Sequence, residues 1–435
     1  MASDRAGSGS VTIRHALGVT VLLAGCVGGE PPLAFDAARD VTTATAVGIG
    51  PMVAFAPSGH RATAWVSAPD GGTDGRLYVA VDDGTPTELR DTLGPIEGRS
   101  EAPPKLAFGS DGTLHAIYVV VKDDSAAKQP LEAIRYVRSA DGGTTWSAPV
   151  TVSHDGVFGA HSFHALHVMP SGGLVLSWLG GAAGEAGVWV THSTDHGATW
   201  ANETLVDGGT TCECCRTALA SAPDGTLYLA WRHVYPGNLR DIVVARSDDQ
   251  GATWSSPRRV HADGWSFDGC PRAGPSILVD AAGHLHVAWW TGKSGAAGVW
   301  YARSADRAET FGAPVALGVS ETSRPAHVQL AARPGGGLLA VWDDGTTGSP
   351  TILLRRTGVD GASFGPAQVL SQPGGSVANP VIAIHGGRVA VAWTELPAAP
   401  PATATTPAAK AGHMAHRGIR AIGRGRIVLR EATLR

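Results

Sequence analysis

Arg138-Ser139-Ala140-Asp141-Gly142-Gly143-Thr144-Thr145-Trp146, Ser193-Thr194-Asp195-His196-Gly197-Ala198-Thr199-Trp200 and Ser247-Asp248-Asp249-Gln250-Gly251-Ala252-Thr253-Trp254 are three copies of one phrase. Asp141, Asp195 and Asp249 follow one another at a constant 54 residues. A fourth, altered copy keeps Ser304, Asp306, Thr310 and Phe311, and a fifth keeps Asp360, Gly361, Ser363 and Phe364 with one residue deleted. Self-similarity at a fixed long period marks a repeat fold whose units stack on one another. Within each phrase the Asp suits a tight turn, because its carboxylate accepts hydrogen bonds from turn amides and Gly takes the positive φ. The repeated aspartates are therefore read as turn-forming groups and not as catalytic carboxylates.

A second repeat lies between these turns. Pro51–Trp65, Lys105–Tyr118, His164–Trp178, Thr217–Trp231, Pro275–Trp289, Val328–Trp342 and Pro380–Trp393 each read as strand, Gly-containing turn and strand. Leu227, Leu229 and Trp231 alternate with the period of two that a sheet requires. The recurring aromatic residues are expected to fill the core between sheets. Composition agrees: 58 Gly, 28 Pro and 13 Trp against 17% charged residues suit many short strands joined by tight turns.

The S-x-D-x-G-x-T-W phrase resembles the Asp-box, or BNR repeat, of the sialidase superfamily. The resemblance covers most of residues 46–395 and implies an all-β propeller of four-stranded antiparallel blades. Sialidases have six blades; the seven strand pairs predict seven, with six as the alternative. Closure matters, because an open ring would leave unpaired sheet edges. The segment around Asp40–Ala46 is one candidate for an outer strand of the last blade, and Ile419–Leu434 is the other.

The ends of the chain read differently. Arg5, Arg14 and His15 precede a short apolar run from Ala16 to Leu23, which suits a signal-peptide core. Leu23-Ala24-Gly25-Cys26 resembles the bacterial lipobox, with Cys26 as the lipidated residue. This predicts an exported cell-envelope lipoprotein, held to the membrane by its lipid alone. The resulting division is a signal peptide at 1–25, a tether or closing strand at 26–45, the propeller at 46–395, a Pro/Ala/Thr-rich linker at 396–416, and a basic tail or closing strands at 417–435. No run of 18 apolar residues suggests a membrane-spanning helix. A net charge of −4 gives no electrostatic reason to expect nucleic acid as a partner. A monomer is expected, with a carbohydrate or an envelope protein as the partner.

The chemistry concentrates at the entrances of successive inner strands. Cys212-Glu213-Cys214-Cys215-Arg216 leads into the fourth pair and Cys270-Pro271-Arg272 into the fifth. His161 lies one period before Cys215, with His164 nearby. Arg324 and His327 lie one unit after Cys270. An exported chain with four cysteines besides Cys26 suggests disulfides, and a bond from Cys270 to the Cys212–Cys215 loop is the preferred pairing. The alternative is a copper or zinc site, in which thiolates are joined by His161 or His164. Redox chemistry is a third reading. Arg216, Arg272 and Arg324 are the candidate ligand-binding cations.

The resemblance also implies a glycosidase reading. Sialidases hold the substrate carboxylate with three arginines and use a tyrosine paired with a glutamate. Glu213 and Arg232, 19 residues apart, resemble the segment that carries the glutamate and the second arginine. Gly50-Pro51-Met52-Val53 lacks the first arginine, and neither Ser323–His327 nor Val377–Pro380 holds the tyrosine. A carboxylate without that partner cannot perform the covalent step. The leading expectation is a lipid-anchored propeller that binds a ligand or a metal through a Cys/His/Arg-lined face. An exo-α-sialidase with an altered catalytic set is the alternative.

Overall fold

The computed structural model describes residues 31–434, apart from 125–129, 154–157, 182–186, 321–324, 346–349, 360, 362 and 398–421. Cys26, Arg324, Asp360 and most of the 396–416 linker thus lie outside the described residues. Pro32 onward forms one compact unit.

Seven four-stranded antiparallel sheets make up the fold. In blade four, Ala218–Ser221, Leu227–Tyr235, Leu239–Ser247 and Arg258–Arg259 run from the inside outward. The innermost strands of the seven blades begin at Ile49, Lys105, Ala160, Ala218, Ser276, Ala326 and Ser376. Each touches the next, and the last touches the first, so the ring is closed. The only helix among the described residues is a short 3-10 turn at Pro69–Gly71.

The periodic aromatics fall at one register. Trp65, Tyr118, Trp178, Trp231, Trp289, Trp342 and Trp393 lie on the second strands and are at most 1% exposed. They occupy core clusters built from the facing sides of neighbouring blades. Burying so much aromatic surface is the main favourable term in holding blade to blade.

The phrase repeats fold as turns after the third strands. Asp195 Oδ1 accepts from Ser193 Oγ at 2.8 Å and Thr199 N at 2.9 Å, while Oδ2 accepts from Thr199 Oγ1 at 2.6 Å. The same bonds recur at Asp141, Asp249 and Asp306. The fourth copy is altered only in sequence. Ala308 takes a left-handed φ of 67° where Gly197 and Gly251 take 80° and 95° in their copies.

Both chain ends close the ring. Arg426–Thr433 is the third strand of blade seven, and Arg39–Asp40 pairs outside it through Arg39↔Leu429 and Asp40↔Val428. The two candidate closing segments are therefore not alternatives, because blade seven takes one strand from each. Glu431 sits at this seam. Its carboxylate binds Arg61 of blade one at 2.6 Å, Arg39 of the N-terminal strand at 2.5 Å and Arg388 of blade seven at 2.9 Å.

Candidate functional site

The entrances to the innermost strands and the links from second to third strands share one face, here called the top. Four innermost strands begin there with a non-glycine residue forced to positive φ: Phe163 (54°), Arg272 (55°), His327 (50°) and Asn379 (55°). Three of these positions coincide with register shifts at Ser162/Ala165, Ala326/Gln329 and Ala378/Val381. Such strain persists only where the surroundings impose it, and it concentrates at functional sites.

The entry to blade four is a tight turn. The Cys212 amide donates to the Arg232 carbonyl at 2.9 Å, and the Cys215 amide donates back to the Cys212 carbonyl at 3.3 Å. This folds three thiols inward and leaves Glu213 exposed. Cys212 Sγ lies 3.4 Å from Cys215 Sγ and 3.7 Å from Cys214 Sγ, and all three sulfurs fall within 4.8 Å of one another. They are buried in a cluster with Phe163, Leu179 and Trp231. Cys270, exposed at the entry to blade five, shares a hydrogen bond with the Cys214 thiol. Gly274 permits this approach, since a Cβ there would stand 2.3 Å from the Arg216 carbonyl oxygen.

These four cysteines are free thiols. A disulfide needs sulfurs at about 2.05 Å, and the turn holds those of the blade-four entry at contact distance instead. The two entrances are thus brought together by a packed group of sulfurs, with no bond drawn between them. Hydrogen bonding with Cys214 and Cys215 holds the Cys212 pKa far below that of an ordinary thiol, against burial, with further help from Arg232 and Arg240. Arg240 Nη1 donates to Cys212 Sγ at 3.0 Å. Burial pushes the Cys215 thiol up.

The two histidines do not join the sulfurs. His161 stands edge-on to Trp178 with ring centroids 6.5 Å apart, on the side of blade three that faces blade two. The sulfurs lie on its other side, toward blade four. His164 is buried, with the Pro103 carbonyl as its hydrogen-bonding neighbour; burial, then the Lys105 ammonium, hold its pKa down at about 3. Among the described residues, the group of mutually close metal-type ligands is cysteine alone.

Arg232 is engaged by the backbone. Its Nη1 donates to Arg240 O at 3.1 Å, and its Nη2 donates to Ala273 O at 3.0 Å and Trp290 O at 2.6 Å. Its guanidinium lies 5.5 Å over the Trp265 ring. A substrate carboxylate would have to displace three carbonyls to reach it. Beside the thiols, Arg272 pairs with Glu101 at 3.0 Å, and His327 Nδ1 meets Asp343 Oδ2 at 2.7 Å. Together with Cys270 and Asp344 these line a cavity of about 340 Å³. Arg216 faces a second cavity of about 170 Å³ on the propeller axis, opposite Lys105.

Sequence reasoning missed Lys105, Arg240 and Asp343, the partner of His327, as site residues. Lys105 had a visible signal, as the one cation opening an otherwise apolar inner strand, Lys105–Phe108. Arg240 and Asp343 had none, because they reach the site from neighbouring strands whose placement depends on the closed ring.

Residues 97–264 match the family described as BNR repeat-like domain. No curated protein sequence matches the chain. Among solved structures, a protein of unknown function from Dyadobacter fermentans is 18% identical, with 78% of this chain and 97% of that one covered at a TM-score of 0.51. The Hadza microbial sialidase Hz136 is 15% identical over 85% of this chain and 76% of its own, at 0.50. The polysaccharide lyase Uly1 is 12% identical over 86% and 88%, at 0.53. At these identities the likeness speaks for the fold.

Proposed function

The chain is a sialidase-like β-propeller of the BNR-repeat kind, and on that premise we propose that it is a metal-binding propeller whose four thiols hold one thiophilic ion, Zn²⁺ or Cu(I), between blades four and five. One observation carries the reading: of three buried sulfurs, those of Cys215 and Cys214 stand 3.4 and 3.7 Å from that of Cys212, and a fourth thiol is within hydrogen-bonding reach. Tetrahedral zinc with Zn–S bonds of about 2.3 Å sets its sulfurs about 3.8 Å apart. The thiols therefore already stand at nearly the edge length of such a site. Binding would deprotonate all four thiols, most readily Cys212, whose pKa is already lowered. The negative charge would be met by Arg240, in contact with Cys212, and by Arg232 and Arg216 close by. Hydrogen-bond donors of this kind orient metal ligands and tune their basicity.

The N-terminal reading adds the setting. Cys26 as a lipid anchor would hold this propeller in a bacterial cell envelope, on a periplasmic or cell-surface membrane face, where metal capture is a sensible task. The glycosidase reading has less support, since Arg232 is occupied by carbonyls and Glu213 has no tyrosine partner in the segments where the resemblance looks for one. The test is metal analysis of the purified full chain with thiol titration under non-reducing conditions. The reading expects one zinc or copper per chain and four thiols that react only after the metal is removed. A disulfide among them, in a chain that takes up no metal, would refute it.

A further inference from the structure

The axial cavity presents a charge problem separate from the thiols. It is lined by Lys105 of blade two and Arg216 of blade four, with Ser100, Thr217, Ser276 and Gln329 as neutral polar neighbours. Among the described residues, no carboxylate lines it. Arg216 is buried and makes one long hydrogen bond, Nη2 to Val328 O at 3.5 Å. It feels Asp343 and Glu101 through space, but among the described residues no carboxylate forms an ion pair with it. Lys105 has no ion-pair or hydrogen-bond partner among the described residues; burial, and then the like charge of Arg216, hold its pKa well below that of an ordinary lysine. In the same wall, Asn379 Oδ1 is buried without a partner.

Two like-signed groups without an ion-pair partner in one cavity are costly to keep charged, because each loses hydration and each repels the other, and a bound anion would relieve both. Structural cations in protein interiors are normally paired. A ring fold that merely needed to fill its axis would do so with apolar residues, as Met52, Ala165, Leu219, Ile277 and Val381 do around the same cavity. A pair of cations surrounded by hydroxyl and amide groups instead matches the donor-rich surroundings that recognise an oxyanion.

We propose that the axial cavity is a binding site for a small oxyanion, held between the Lys105 ammonium and the Arg216 guanidinium and further hydrogen-bonded by Thr217 and Ser276. At about 170 Å³ it has room for a tetrahedral ion with a few waters, each water occupying about 30 Å³ of liquid volume. None of its residues is a ligand of the thiol site, although Arg216 directly follows Cys215 and borders both. It draws on blades two and four, so a bound ion would also brace the ring across its axis.

The experiment is thermal unfolding of the full chain in a buffer with a weakly coordinating counter-ion, titrated with inorganic phosphate. A ligand that binds only the folded state raises Tm in proportion to the logarithm of its concentration once the site is saturated. The wild type should show this rise. Lys105→Met should lose it, with at least a tenfold weaker apparent Kd, while being no less stable than the wild type without phosphate. Lys105→Arg should restore the response. General salting-out by phosphate acts equally on all three, so the difference between wild type and Lys105→Met is the quantity read. Arg216→Met should behave as Lys105→Met does, and if it fails to fold the lysine variants alone decide. Acetate in place of phosphate separates a site for any oxyanion, which responds to both, from one selective for tetrahedral ions, which responds only to phosphate. An equal response in wild type and Lys105→Met, or none in either, overturns the proposal, as does a Lys105→Met chain clearly less stable than the wild type without phosphate.

Discussion

Replacing Glu431 with Gln tests how the ring is held shut. Glu431 lies on the strand that the C-terminus contributes to blade seven, and its side chain is 15% exposed. It binds Arg61, which is 1% exposed, and also Arg39 and Arg388. Glu431→Gln removes the charge with almost no change in volume. Arg61 then keeps Asp83 at 3.0 Å and the Asp82 carbonyl at 2.6 Å, but loses its buried anionic partner. Breaking one side of a buried pair costs about 3–5 kcal/mol. Because Asp83 remains and Gln still accepts a hydrogen bond, we expect about 3 kcal/mol, near the lower end of that range. The pH dependence follows from the direction of the shift. Burial opposes the charged form of Glu431, but hydrogen bonds from Arg39 and Arg61 outweigh it, and its folded pKa lies below the ordinary value. Its contribution is thus complete above the unfolded glutamate pKa of about 4.3 and fades as pH falls through the depressed folded value. Urea unfolding at neutral pH and again well below pH 4 measures both effects. The gap between wild type and Glu431→Gln should be large at neutral pH and shrink in acid. A difference under about 1 kcal/mol at neutral pH, in the range of an exposed ion pair, or a gap that does not change with pH, would refute the seam as the clasp.

Three further outcomes follow. Trp231→Ala, at a side chain fully buried and bonded to Asp207 at 2.8 Å, should cost about 3–5 kcal/mol in the same unfolding assay, with Trp231→Phe costing less. Arg240→Met should weaken zinc retention in a chelator competition, since Cys212 loses its 3.0 Å donor, while circular dichroism stays that of a β-fold. Cys26→Ala should release the protein from membranes of a lipoprotein-processing bacterial host, and retention unchanged from wild type would count against the anchor.

Much of this architecture is legible in the sequence, and the reason is the repeat. The Asp-box turns and the seven second-strand aromatics are local devices, each dictated by a few adjacent residues, so their period gives both blade type and blade number. The altered fourth copy folds like the others because its four bonds come from Ser304, Asp306 and Thr310, with Ala308 tolerating the glycine-like φ. The closing blade is harder to read, because Arg39–Asp40 is too short to show an alternating pattern and Arg426–Thr433 follows a Pro/Ala/Thr-rich stretch. The site is legible in part. One repeat period between Cys215 and Cys270 places the two loops side by side, which the structure also does. The same spacing suggests His161 as a companion, but period alone does not say to which side of a blade a residue turns, and His161 turns toward blade two. The partners of Cys212 and Arg216 come from strands far away in sequence, where no local pattern marks them.

Native mass spectrometry of the full chain, purified without reductant and sprayed before and after acid removal of metal, tests the central claim most directly. The account predicts a folded species heavier than the bare chain by one zinc or copper ion less the protons that ion displaces, reverting after acidification to a mass with all thiols reduced. A folded species at the bare mass less two or four hydrogens, unchanged by added zinc or copper, would show disulfides in place of a metal centre and contradict it.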